Sequence, residues 1–279
     1  MSMAQAIGGG FGGGGDIALS AQGLTLSWGQ GTPSLVVRDV SVTVGAGEVV
    51  CLVGRSGCGK TTLLHALSGL TTPVEGRVLL HGRDVTARPG HVSYMLQKDL
   101  LLPSRRIIDN VCLPLEIAGM GREEAHERAR PLFERFGLAG CEQSWPAELS
   151  GGMRQRAAFL RTYLMGNDVV LLDEPFSALD ALTRDDMRSW YCDMARELGL
   201  ATLAITHDVD EAVSMAERIY VLEGNPSAGQ PSTILAEIAV PRPVGEPGHT
   251  SSAAAFALTS EFLACKREVL GFLGKGPAA

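Results

Sequence analysis

Gly54, Arg55, Ser56, Gly57, Cys58, Gly59, Lys60, Thr61 and Thr62 read GRSGCGKTT, a run able to grip a polyphosphate. Its three glycines let the backbone bend until successive N–H groups point inward. A helix starting at Lys60 adds its positive end. In that setting the Lys60 ammonium reaches the outer phosphates, and the Thr61 hydroxyl serves as a magnesium ligand. The run implies ATP with Mg2+, against the plainer alternative of a glycine turn. Cys58 reads as a small tolerated loop residue rather than a redox group, because nothing in the sequence fixes its thiolate state.

The segment VVLLDEP sets Asp173 and Glu174 at the carboxyl end of an apolar strand, where open α/β sheets bind ligands. Asp173 suits a second magnesium contact, direct or through water. Glu174, one residue on, is placed to act on water as a general base. Taken alone, the pair is also a solvated acidic turn ahead of Pro175. His207 follows the apolar run Ala201 to Thr206 and reaches the same crevice, where it can hydrogen-bond a γ-phosphate. In isolation it would read as surface or helix-capping detail, and Gln97 by itself is only a surface glutamine. LSGGMRQR puts Ser150, Gly151 and Gly152 at a helix start, which fits either simple capping or a second anion site.

Positioning these groups requires strands with helices between them. Apolar runs at Val36 to Val44, Val49 to Val53, Arg77 to Leu80, Val92 to Leu96, Val169 to Leu172, Ala201 to Thr206 and Arg218 to Leu222 predict strands. Several are continuous, as in strands buried on both faces. Helical spacing recurs in Leu63, Leu67 and Leu70, in Met153, Ala157, Leu160 and Leu164, and in Met187, Trp190, Tyr191, Met194 and Leu198. Between Arg122 and Phe136, Pro131 predicts two helical pieces. One further strand is expected at Thr233 to Ile238. A terminal helix is expected near Ala255 to Leu273, with Phe262, Leu263, Val269, Leu270 and Leu273 on one side.

The chain of 279 residues is 45% hydrophobic with a net charge of −7, so a broad basic nucleic-acid-binding face is not expected. Its six cysteines show no metal-ligand spacing and read as reduced thiols of a cytosolic protein. The glycine-rich start lacks the charged head and apolar core of a secretory signal. No apolar run is long enough to span a bilayer.

In order and spacing, GRSGCGKT, the loop at Gln97, LSGGM, LLDEP, SALD at Ser177 to Asp180, and His207 resemble the ATPase subunit of an ABC transporter. The resemblance runs from about Trp28 to Leu222. It implies an α/β P-loop NTPase fold: a mainly parallel sheet core with an antiparallel β subdomain and a helical subdomain over about residues 98–165. The ATPase domain would occupy 17–240, behind a flexible tail at 1–16 and before a C-terminal extension at 241–279.

The resemblance also implies roles. Trp28 would stack on adenine, and Gln97 would sense magnesium and the attacking water. Asp180 would lie at a head-to-tail dimer contact, where Ser150 to Gly152 of a second copy completes the ATP site. Partners would be an integral membrane permease at the cytoplasmic face of the membrane and, indirectly, a substrate-binding protein. The stretch YMLQKDLLLPSRRIIDNVCLPLEIAG is similar to importers for nitrate, sulfonates, taurine, bicarbonate and thiamine precursors, except that Ser104 stands where many relatives carry tryptophan. Arg105 and Arg106 either meet the permease or are merely solvated. The rival reading is a soluble ABC ATPase acting on nucleic acid or ribosomes. That class usually carries a long coiled-coil insertion or a second cassette, and neither is present in this sequence.

Overall fold

The computed structural model describes residues 16–28, 34–241 and 256–274. Strands β3 (Val49–Gly54), β7 (Val169–Asp173) and β8 (Ala201–Thr206) are buried at every residue. Such continuous apolar runs belong to strands covered on both faces. With β6 (Ser93–Met95) and β9 (Arg218–Asn225) they form a parallel block in the order β9-β3-β8-β7-β6. An antiparallel arm is made by β1 (Ile17–Trp28), β2 (Ser34–Gly45), β4 (Glu75–Leu80) and β5 (Arg83–Asp84). β10 (Gln230–Ala239) runs antiparallel to β9 and touches β2 at the pair Ser232 and Val37, joining arm and block into one sheet.

Side-chain alternation along β3 splits the core in two. Val49, Cys51 and Val53 face one cluster with the helices α2 (Ile107–Val111), α4 (Arg122–Arg135), α5 (Gly151–Tyr163), α6 (Ala181–Leu198) and α7 (Val209–Met215). Val50 and Leu52 face the other cluster, with the arm and with α1 (Lys60–Leu67). Two further helices are the short α3 (Leu113–Ile117) and, near the C-terminus, α8 (Ser260–Gly274).

Several expectations change. β1 precedes every predicted strand; its apolar alternation changes phase at Gly23, which sits at φ 60° where the register slips between Ala21 and Leu24. α4 is one helix, not two pieces. Pro131 lies on its exposed side, where water can take the carbonyl left without a donor, while buried Ala125, Ala129 and Phe133 hold both halves to the core. Leu70 lies beyond α1 and is 61% exposed. On α8 the buried stripe is Phe262, Cys265 and Val269, whereas Leu263 and Leu270 face outward. Residues 1–15 of the expected glycine tail lie outside the described residues. No helix among the described residues is long and apolar enough to cross a membrane.

Candidate active site

The loop between β3 and α1 is shaped by its glycines. Gly57 and Gly59 stand at φ 80° and 99°, the left-handed region that favours glycine. A Cβ at Gly54 would meet the Leu222 carbonyl oxygen at 2.6 Å, and one at Gly59 would meet the Val36 side chain at 2.7 Å. α1 begins at Gly59 with no side-chain cap and no acidic residue in its first turn, so its first N–H groups are left to a ligand. Lys60 is buried and donates from Nζ to the carbonyls of Gly54 at 2.8 Å and Arg55 at 3.1 Å. The Arg55 side chain turns away from the cradle and bonds the Leu273 carbonyl at 2.8 Å. Cys58 is buried, and that burial raises its thiol above the ordinary range. This agrees with a packed rather than a reactive group. Ser56 is exposed and Thr62 is half-buried.

Thr61 and Asp173 meet across the crevice. The Thr61 hydroxyl donates to Asp173 Oδ1 at 3.5 Å, and the Tyr94 hydroxyl donates to Oδ2 at 3.3 Å. Burial raises the Asp173 carboxyl above its usual range, against the lowering effect of those hydrogen bonds. Two hard oxygen donors side by side at the mouth of the phosphate loop fit a magnesium ion. Tyr94 is a group that sequence reasoning missed. Its signal was a polar aromatic in the short strand β6, three residues before Gln97; its ring also lies edge-on to His65.

Glu174 has φ 45°, a conformation costing a non-glycine residue roughly 1–3 kcal/mol. Its N–H still bonds the Ile205 carbonyl at 3.0 Å, so the β7 and β8 ladder runs up to this turn. Its carboxylate is held from two sides. Gln97 Nε2 donates to Oε2 at 3.2 Å and to Ser177 Oγ at 3.3 Å, and His207 Nδ1 lies 3.0 Å from Oε1. A carboxylate in its charged form only accepts, so this contact is a hydrogen bond when the His207 proton sits on Nδ1. Gln97, Glu174 and His207 therefore form one cluster. Ser177, which the sequence shows only within the SALD run, joins it through Gln97.

Ser150, Gly151 and Gly152 form a different edge. Ser150 Oγ accepts from the Met153 N–H at 3.3 Å, capping α5. Cβ atoms added at Gly151 and Gly152 would lie 3.3 Å from Leu179 and 3.1 Å from Thr183. Asp180 caps the neighbouring α6, accepting from the Thr183 N–H at 3.1 Å and its hydroxyl at 2.7 Å. These bonds lower its carboxyl pKa. Trp28 ends β1 opposite Ser34 and is 65% exposed. The same hairpin end carries Val36 and Val37, which border Gly59.

Comparison with known proteins agrees with this geometry. The family model described as ABC transporter matches residues 37–177. The formylaminopyrimidine import ATP-binding protein ThiZ of Halalkalibacterium halodurans is 41% identical over 204 residues, covering 73% of this chain and 80% of that one. The taurine import ATP-binding protein TauB of Pseudomonas aeruginosa is 41% identical over 210 residues, covering 75% and 80%. Among solved structures, the dimeric bacterial ABC transporter cassette MJ0796 superposes with a TM-score of 0.67 at 25% identity. It covers 80% of this chain and 99% of that one, and the same cassette has been seen bound to ADP and Pi after hydrolysis. With its phosphate loop, its acidic strand end and these relatives, the chain belongs to the ABC transporter family, as an ATP-hydrolysing subunit of an importer.

Proposed function

We propose that two copies of this chain close head to tail on ATP, each nucleotide lying between the Gly54 to Thr61 loop of one copy and the Ser150 to Gly152 turn of the other. The observation that carries this reading is the division of the machinery. The loop sits against Val36 and Leu222, whereas the turn sits against Leu179 and Thr183 beside Asp180. Each edge offers backbone donors, and a second copy would supply what each lacks.

Within a site, Lys60 leaves its two loop carbonyls for the outer phosphates. Trp28 offers its exposed ring to the adenine. Thr61 and Asp173 would hold the metal, with Gln97 close enough to follow its presence through Glu174. Bound there, magnesium neutralises charge on the transferring phosphate. Glu174 accepts the proton of the attacking water. Gln97 and His207 each engage one of its oxygens here, and each oxygen keeps a further lone pair that can take the proton once closure brings the water. His207 can then turn toward the γ-phosphate.

The motion is passed to a membrane permease at the cytoplasmic face. Just past Gln97 a groove is lined by Leu96, Leu100, Ile117 and Met165, all of them exposed. That apolar strip suits a permease segment. Arg105 and Arg106 are spent internally, on Glu116 and on the Gln143 carbonyl and Trp145 ring. A substrate-binding protein would deliver the solute. The named relatives import different small molecules, so the choice of solute rests with the permease and that binding protein.

Co-expression with the candidate permease and a mild-detergent pull-down tests the proposal. A membrane protein should co-purify, and the binding protein loaded with its solute should raise ATP turnover. Recovery of nucleic acid or ribosomes alone would overturn it.

A further inference from the structure

The C-terminal helix α8 lies outside the family match, yet it reaches the phosphate loop. It buries Phe262, Cys265 and Val269 in the larger core cluster. Lys266 Nζ pairs with Asp210 at 2.6 Å, in the first turn of α7. That turn begins two residues after His207. Seven residues further along α8, about 10 Å by helix rise, the Leu273 carbonyl accepts the Arg55 guanidinium at 2.8 Å. This carbonyl is among the last of the helix, which lack donors within it and form its negative end. A guanidinium is well matched to such an end.

Arg55 has a second connection. Its own carbonyl oxygen accepts from Lys60 Nζ at 3.1 Å, beside the Gly54 carbonyl at 2.8 Å. The Cys58 N–H also bonds that Arg55 oxygen, at 3.3 Å. One residue thus ties α8 through its side chain to the loop that holds the phosphate-binding lysine.

We propose that α8 is a brace on the phosphate loop, and that Arg55 is a positioning residue, acting through the loop backbone that its carbonyl and the Cys58 N–H hold in shape rather than by touching the phosphates. The loop is exposed at Arg55, Ser56 and Gly57, so a fixed point outside it keeps its donors arranged before nucleotide arrives. Preorganisation of this kind shows in affinity. The inference rests on the assignment of Gly54 to Thr61 as the nucleotide site.

The test uses the full chain, an Arg55→Ala variant, an Arg55→Lys variant, and a chain ending at Gly271, which keeps Phe262, Cys265, Lys266 and Val269. A fluorescent ATP analogue reads affinity, and steady-state turnover separates KM from kcat. Arg55→Ala and the shortened chain should each weaken nucleotide binding and raise KM by about three- to tenfold, less than the full worth of a charge-assisted hydrogen bond because this one is exposed and acts on the nucleotide only through the loop. kcat should stay within about twofold. Arg55→Lys should recover part of the loss. Adding Arg55→Ala to the shortened chain should weaken affinity no further, since the Arg55–Leu273 contact is already absent there.

Unchanged affinity in Arg55→Ala, or losses that multiply in the combined variant, would overturn the brace. Should the shortened chain fail to fold, the Arg55→Ala and Arg55→Lys pair still decides. Lys60→Ala is the control: if it too leaves affinity unchanged, the nucleotide-site assignment itself fails, whereas loss there without loss at Arg55 removes the brace alone.

Discussion

Two helix starts in this molecule, those of α1 and α5, carry glycines with backbone N–H groups, and they differ in what the chain gathers beside them. At α1 the cap is Gly59, which spends no side chain on the helix, and Lys60, Thr61 and Asp173 gather around the open N–H groups. At α5 the cap is Ser150, whose hydroxyl is already used on the Met153 N–H. There the glycine N–H groups and the dipole remain, without the lysine or the paired oxygens. α7 is the far case. Its cap, Asp208, accepts from the N–H groups of both Asp210 and Glu211, so its own carboxylate occupies the position an anion would take. The comparison teaches that a helix dipole alone does not define a site. What matters is which donors the chain leaves unspent and what it gathers beside them.

The largest effect expected from breaking this arrangement lies at Glu174. Glu174→Gln keeps the size and shape of the side chain but removes the base, so turnover should fall by about 10²- to 10⁴-fold while ATP stays bound. Light scattering should then find an ATP-bound dimer. A monomer under saturating ATP would break the shared-site pairing of the α1 and α5 ends.

The closed α7 end makes the next prediction, one of pH. Glu211 is buried with Oε1 unpartnered, and burial, then the Asp208 charge, push its carboxyl up to about 7. Between its ordinary value and about 7 the folded chain holds a proton that the unfolded chain has lost. Stability therefore falls as pH rises through that window, by about 3 kcal/mol in all. Glu211→Gln should flatten the slope and raise the urea midpoint at pH 8. An unchanged slope would mean that Glu211 does not titrate there.

Lys60→Ala tests the α1 end itself. Loss of a charged donor to the outer phosphates is worth roughly 1.5–3 kcal/mol, or about 10- to 100-fold in ATP affinity by calorimetry. Ser150→Arg tests the α5 end by filling it with a bulky side chain. Turnover should fall by about tenfold or more, as when a reacting group is displaced from its productive position, with monomer affinity for ATP within about twofold. If monomer affinity falls as far as turnover does, the two ends serve one nucleotide within a single chain.

Much of this was legible in sequence, because loop chemistry is local. GRSGCGKT specifies its own geometry through glycines that must adopt φ near 80° and 99°, and LLDEP marks the end of a strand buried at every residue. Other features were hidden for identifiable reasons. β1 was obscured by a bulge around Gly23, which breaks the period of two. The continuity of α4 through Pro131 depends on that residue facing water, a tertiary fact. Tyr94 meets Asp173, and Arg55 meets Leu273, 218 residues away; no periodicity reports such a pairing. Gln97 had little signal until the fold brought it to Glu174.

The smallest effect concerns the Ser150 hydroxyl, for which capping and anion binding were both open. Ser150→Ala removes the acceptor of the Met153 N–H and should lower unfolding free energy by about 1 kcal/mol. In urea this appears as a lower midpoint with the same slope. Gly151 and Gly152 keep their N–H groups in this variant, so the dipole and backbone donors survive. If the hydroxyl only caps, turnover at saturating ATP stays unchanged once the chain is folded, and Ser150→Thr restores the midpoint. If it also meets the partner copy's nucleotide, turnover falls even where the folded fraction is complete, and the loss grows with dilution of the protein because closure requires two copies. The concentration dependence separates the two roles, since a cap acts within one chain and cannot depend on a second.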